Sequence, residues 1–197
     1  MILKTVDSPN LMWSMYDDDP DRCVTDLFLT TTSATISRRT GKLVMGKGHA
    51  LQVKQRIGRN IESVLAKSIE AAVMERVMAG QWKDIYRDID PNWRVYGDYY
   101  LLVSQNWPDV RIGLFQTKRF FKDSAGAVDE RSGGYEYSIK NMVHWSTLAL
   151  IEWCREHPDK RVDMPFPGIG AGGCSVDEIM PIIERLPDTV YVWKLEE

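Results

Sequence analysis

The chain has 197 residues, 44% hydrophobic and 27% charged, with a net charge of −3. That suits one domain with a sizeable core. The acidic balance argues against general nucleic-acid binding, and no apolar run approaches the roughly 20 residues that span a bilayer.

Met1 to Val6 shows no basic region followed by a signal-type apolar stretch, so a cytoplasmic protein is expected. Cys23, Cys154 and Cys174 have no metal-ligand spacing and read as reduced thiols. No metal and no cofactor are expected.

Ile2 to Val6 reads as a short strand, broken by Asp7-Ser8-Pro9-Asn10. The acid run Asp17-Asp18-Asp19-Pro20-Asp21 reads as a solvated loop. Val24 to Thr32 is rich in β-branched and apolar residues and predicts a buried strand. A polar hinge is expected from Ser33 to Lys42.

Between Asp26 and Glu62 there is no acid, while Arg38, Arg39, Lys42, Lys47, Lys54, Arg56 and Arg59 all fall there. A local positive field in an acidic protein suits a small anionic ligand.

The segment Val44-Met45-Gly46-Lys47-Gly48-His49-Ala50 leads into a helical pattern that Gly58 can stop. A second helix is predicted from about Asn60 to Met78, with Ile61, Val64, Leu65, Ile69, Ala72, Val73 and Val77 as its apolar stripe. Residues 81–97 read as an irregular aromatic insertion. Tyr99 to Ser104 and Arg111 to Thr117 predict strands. Residues 122–134 read as a mobile loop. A long helix follows from Ile139 to Trp153, and His144 and His157 are expected to carry no function.

The most informative stretch is Met164 to Ile179. A strand over Val162–Met164 precedes it, and a helix to about Leu186 and a strand over Thr189–Leu195 follow. Gly168, Gly170, Gly172 and Gly173 then fall on a strand-to-helix turn. Glycine there permits positive φ and close approach of a ligand to bare backbone. A helix start adds unpaired N–H groups, which favour phosphate.

Gly168-x-Gly170-x-x-Gly173 fits the dinucleotide fingerprint as written. That fingerprint should open a βαβ unit with an acid about 20 residues on. Too little chain remains for it, so a nicotinamide oxidoreductase is disfavoured. Alternating strands and helices argue instead for an α/β domain spanning 1–197, with helices on both faces of a sheet. Two glycine loops that each open a helix can cradle two adjacent phosphates.

Three segments carry a family resemblance: Leu29 to Ser33 running on through Gly41 to Ala50, Phe115-Gln116-Thr117-Lys118, and Pro165 to Ile179 with the following strand. In order and spacing the chain resembles the macro domain, the ADP-ribose-binding module. The resemblance implies a three-layer α/β/α fold with a mixed central sheet. It implies that Met45, Gly46, Lys47, Gly48, His49 and Ala50 contact the diphosphate and distal ribose. It implies that Gly168, Ile169, Gly170, Ala171, Gly172 and Gly173 contact the phosphates and close over that ribose. An early polar residue would read adenine; Asp7 and Asn10 both fall in range, and Asn10 is carried as the candidate.

Lys118, in its Thr-Lys context, resembles the subgroup of DNA and terminal ADP-ribose glycohydrolases, where a lysine acts at C1″. Lys118 and Ser33 are therefore the catalytic candidates. The expected partner is ADP-ribose or an ADP-ribosylated macromolecule. The expected reaction is hydrolysis of an ADP-ribosyl linkage or of ADP-ribose 1″-phosphate. The alternative is a binding module without chemistry, which sequesters or senses such a nucleotide. Ser33 stands where many family members have asparagine, Gly172 where some lysine users have aspartate, and Cys174 and Val176 where leucine and tryptophan are common. These departures bear on hydrolysis more than on binding.

Overall fold

The computed structural model describes residues 1–6, 25–58, 60–81, 86–106, 111–120 and 139–196. Asn10, the acid run 17–21, Cys23 and the 122–134 loop lie outside the described residues, as does Asp7.

Nine strands and four helices are described in chain order: β1 (Ile2–Val6), β2 (Leu27–Ser33), β3 (Thr35–Ser37), α1 (Gly48–Ile57), α2 (Ile61–Met78), β4 (Tyr86–Asp90), β5 (Trp93–Tyr96), β6 (Leu101–Asn106), β7 (Arg111–Lys118), α3 (Ile139–Glu156), β8 (Val162–Pro165), α4 (Val176–Ile183) and β9 (Val190–Leu195). The main sheet has the order β1-β9-β8-β2-β7-β6. Its strands pair parallel except for β6, which runs antiparallel to β7. This is the α/β architecture that the alternation predicted, with the mixed sheet that the resemblance implied.

The alternation of side chains across each strand separates two cores. Phe28 of β2 and Leu114 of β7 face α1 and α2, packing with Val53, Leu65 and Ile69. Leu27, Leu29 and Phe115 face the opposite way, packing with Ile139 and Leu150 of α3 and with Ile179 and Ile183 of α4. Helices thus cover both faces of the sheet, giving three layers.

Two expectations need correction. The stretch read as a polar hinge contains β3, whose Thr35 and Ile36 are buried. The stretch read as an irregular insertion holds a hairpin, β4 and β5, turned at Pro91-Asn92. These three strands form a second, antiparallel sheet. Strands of three to five residues, β4 with three charges among them, give too weak a period-2 signal to stand out. Val64, expected on the apolar stripe of α2, is exposed. No helix among the described residues is long and apolar enough to cross a membrane.

Candidate functional site

The chain leaves β2 toward α1 and α2 on one face. It leaves β8 toward α4 on the other. Since β2 and β8 are neighbours in the sheet, their outgoing segments part to opposite faces at the carboxyl ends of the strands. In open α/β sheets ligands bind at such a switch point.

The first glycine segment lies along the α1 face. Val44 N donates to Thr35 O at 3.0 Å, and His49 Nδ1 lies 2.9 Å from Thr30 Oγ1 of β2. Met45 and Ala50 are buried in the core. Gly48 takes φ 57° as it enters α1. This helix has no side-chain cap and no acid in its first turn. The N–H groups of Gly46, Lys47, Gly48 and Ala50 meet no backbone carbonyl among the described residues. An uncapped helix start with orphan donors is an anion-binding arrangement.

The His49 imidazole is buried and rests 5.3 Å from the Phe28 ring. Burial lowers its pKa to about 3. It is therefore neutral near pH 7 and too weak a base to move a proton there. Its ring packs between α1 and β2.

The second glycine segment differs from its sequence expectation. It does not run straight into a helix: Gly170–Gly172 form one 3-10 turn, Gly173 takes φ 75°, and α4 starts only at Val176. The N-terminus of α4 is already filled. Ser175 Oγ accepts from Glu178 N, and the Glu178 carboxylate accepts from Ser175 N at 2.9 Å. This capping box satisfies the Ser175 and Glu178 N–H groups and sets a carboxylate at the helix start. The N–H groups of Gly172, Gly173 and Cys174 are also spent, donating to Ile169 O, Gly170 O and Gly168 O. The N–H groups of Gly168, Ile169, Gly170 and Ala171 meet no backbone carbonyl among the described residues. The donors on this side belong to the turn rather than to the helix.

The glycines there do two different jobs. Gly168 has φ 79°, and a Cβ would lie 3.2 Å from Ile179 Cδ1 and 3.3 Å from Ile139 Cγ2. Its bare α-carbon is needed by the core. Gly170 has φ 60° and open space where a Cβ would stand.

Lys118 ends β7 and reaches this turn, its Nζ donating to Ala171 O at 3.2 Å. Since β7 and β8 both flank β2, the ammonium spans the carboxyl end of β2. Ser33, the last residue of β2, pairs in register with Lys118. It is buried, and its Oγ accepts from Thr35 N at 3.4 Å. Lys118, Ser33 and the second glycine turn are thus brought together.

Under them lies a polar layer that the sequence reading left without roles. Gln116 Oε1 accepts from both Tyr99 N and Tyr100 N, at 2.9 and 3.0 Å. Tyr100, a non-glycine residue at φ 56°, turns these two N–H groups onto one acceptor. The Thr32 and Tyr99 hydroxyls are hydrogen-bonded to each other, and burial pushes the Tyr99 hydroxyl pKa up. Arg119, next to Lys118, is ion-paired with buried Asp98. One signal for the pair was present: Arg119 precedes Phe120-Phe121, and a cation in an apolar stretch needs a partner.

Cys154 and Cys174 are buried free thiols whose pKa values burial raises, so neither is an activated nucleophile. No group of His, Cys, Asp and Glu suited to a metal occurs among the described residues.

Fold and crevice together define an α/β protein with two glycine turns and a lysine at the carboxyl edge of a mixed sheet. No protein-family description matches the chain, and no curated protein does. Solved structures do. The macrodomain of Mycobacterium tuberculosis DarG is 18% identical, with 98% of this chain and 97% of that chain covered at a TM-score of 0.48. Thermosipho africanus DarTG in complex with ADP-ribose is 16% identical, with 90% of this chain and 40% of that longer chain covered at a TM-score of 0.49. The macrodomain of Thermus aquaticus DarG is 20% identical, with 100% and 98% covered at a TM-score of 0.47.

Proposed function

We propose that this chain binds ADP-ribose, or an ADP-ribosyl group on a macromolecule, in the crevice between the carboxyl ends of β2 and β8. One observation carries the reading: the Lys118 ammonium meets the Gly170–Gly172 turn at 3.2 Å, over the end of β2. It sets a cation beside one set of N–H groups without backbone acceptors, and the start of α1 supplies a second set. A diphosphate needs such donors on both sides, at about 1.5–3 kcal/mol for each charge-assisted hydrogen bond.

The reaction proposed is cleavage at C1″ of the distal ribose. Lys118 first gives a proton to water; its amine then attacks C1″, and the bond from C1″ to the modified group breaks with its electron pair leaving on that group. The ribose opens to an imine. Water then adds at C1″ and releases ADP-ribose and the free amine. Ser33 orients a ribose hydroxyl or that water. ADP-ribose 1″-phosphate fits the same crevice as a smaller substrate.

A second reading, binding without chemistry, is favoured by the burial of Ser33 and its bond to Thr35 N. Turnover separates the two. Wild-type protein should release ADP-ribose from an ADP-ribosylated oligonucleotide, an ADP-ribosylated peptide or ADP-ribose 1″-phosphate, and Lys118→Ala should stop it while still binding ADP-ribose. Full turnover by Lys118→Ala would sink the lysine mechanism. Binding with no turnover on any of the three would establish the second reading.

A further inference from the structure

The ion pair of Asp98 and Arg119 has no place in the chemistry above. Arg119 Nε donates to Asp98 Oδ1 at 2.6 Å and Nη2 donates to Oδ2 at 2.5 Å. Both side chains are almost wholly buried. A buried pair of this kind contributes little net stability, because desolvation offsets the attraction. Its significance is to be sought in the geometry it fixes.

That geometry centres on the end of β7. Lys118 faces Ser33 only because the β2–β7 register shifts between Thr32 and Ser33. Such a bulge re-aims the side chains beyond it. On its near side the bulge is held by Thr117 Oγ1, which donates to Thr32 O at 3.3 Å. On its far side the next residue after Lys118 is tied three ways. Arg119 O accepts from Ala34 N and from Thr35 Oγ1, each at 3.0 Å. The guanidinium grips Asp98, whose own carbonyl accepts from Arg76 Nη1 at 2.9 Å.

We propose that the Asp98–Arg119 pair is a positioning clamp, which holds the strand end beyond the bulge so that Lys118 is aimed at the Gly170–Gly172 turn. The proposal rests on the reading that Lys118 works at the distal ribose. Arg119 and Asp98 are positioning residues; neither touches the ligand.

The test traps Lys118 on ADP-ribose itself. The Lys118 amine condenses with the open-chain C1″ aldehyde, losing water, and cyanoborohydride delivers hydride to the imine carbon to fix a secondary amine. Mass spectrometry maps the adduct against the other lysines. Two variants are compared with wild type: Arg119→Lys, which keeps the charge but not the two-pronged grip, and the pair Asp98→Leu with Arg119→Met, which removes both charges and conserves volume roughly. The clamp predicts that wild type labels preferentially at Lys118. It predicts that both variants lose about tenfold or more of that label while ADP-ribose Kd stays within about threefold and the double variant melts close to wild type.

Undiminished labelling in the variants overturns the clamp. So does a loss that tracks melting temperature and Kd together, which marks a purely structural pair. No preference for Lys118 in wild type removes the reading beneath the proposal, and is distinguishable because the unaltered protein fails.

Discussion

Alanine at three glycines separates backbone that serves the fold from backbone that serves a ligand. At Gly168, φ 79° and contacts of 3.2 and 3.3 Å with Ile179 and Ile139 both oppose a side chain. The left-handed conformation costs about 1–2 kcal/mol and the overpacking about 1–3 kcal/mol. Gly168→Ala should lose about 2–5 kcal/mol, a fall in Tm of about 4–20 °C at this size. At Gly170 only the φ of 60° opposes alanine, with open space around the new methyl. Its cost should stay near 1–2 kcal/mol. Gly46 has open space and no positive φ; Gly46→Ala should be neutral or stabilise by about 0.4–1 kcal/mol through the unfolded chain.

Binding should rank differently. Gly46→Ala and Gly170→Ala each put a methyl where a phosphate would approach bare backbone. Losing one charge-assisted bond at about 1.5 kcal/mol weakens ADP-ribose by about tenfold. Thermal denaturation and ADP-ribose titration on the same preparations give both scales. If Gly46→Ala and Gly170→Ala bind as tightly as wild type, these turns do not approach a phosphate.

Three further outcomes follow from single side chains. Glu178 is held at a pKa of about 2, first by its hydrogen bond from Lys140 and then by the Ser175 backbone. A depressed folded pKa contributes stability above the ordinary 4.5, lost as pH falls from there toward 2, so Glu178→Gln should flatten that part of an acid-unfolding curve. His49 has a folded pKa of about 3 against an ordinary 6.5; its contribution is intact above 6.5 and declines toward 3, and His49→Gln should remove that slope. Ser175→Ala removes half of the capping box and should cost about 1 kcal/mol in thermal or urea unfolding, without changing ADP-ribose affinity, since the start of α4 is not a phosphate site.

Much of the architecture was legible because long periodic segments carry it. The apolar stripe of α3 and the unbroken run of β2 signal a buried helix and a buried strand whatever surrounds them. β3, β4 and β5 were not legible, because β3 is three residues long and β4 and β5 are four or five residues with interleaved charges, which look like loop. At the crevice, Lys118 and both glycine segments were readable from residue type and order. What the second segment does with its N–H groups was not, since the Ser175–Glu178 box and the turn bonds of Gly172, Gly173 and Cys174 appear only in three dimensions. The Asp98–Arg119 pair joins residues 21 apart in sequence, and no local pattern links them. The packing of His49 against Phe28 and Thr30 was likewise not readable from the glycine segment alone.

The central claim is that two glycine turns hold a diphosphate linked to two riboses, with Lys118 at the distal one. Isothermal titration of ADP-ribose into the purified protein, with ADP and AMP as controls, tests it most directly. The account predicts micromolar binding of ADP-ribose, about −8 kcal/mol, and much weaker binding of AMP, which reaches only one turn. No heat from ADP-ribose at high protein concentration, or equal affinity for AMP, would contradict it.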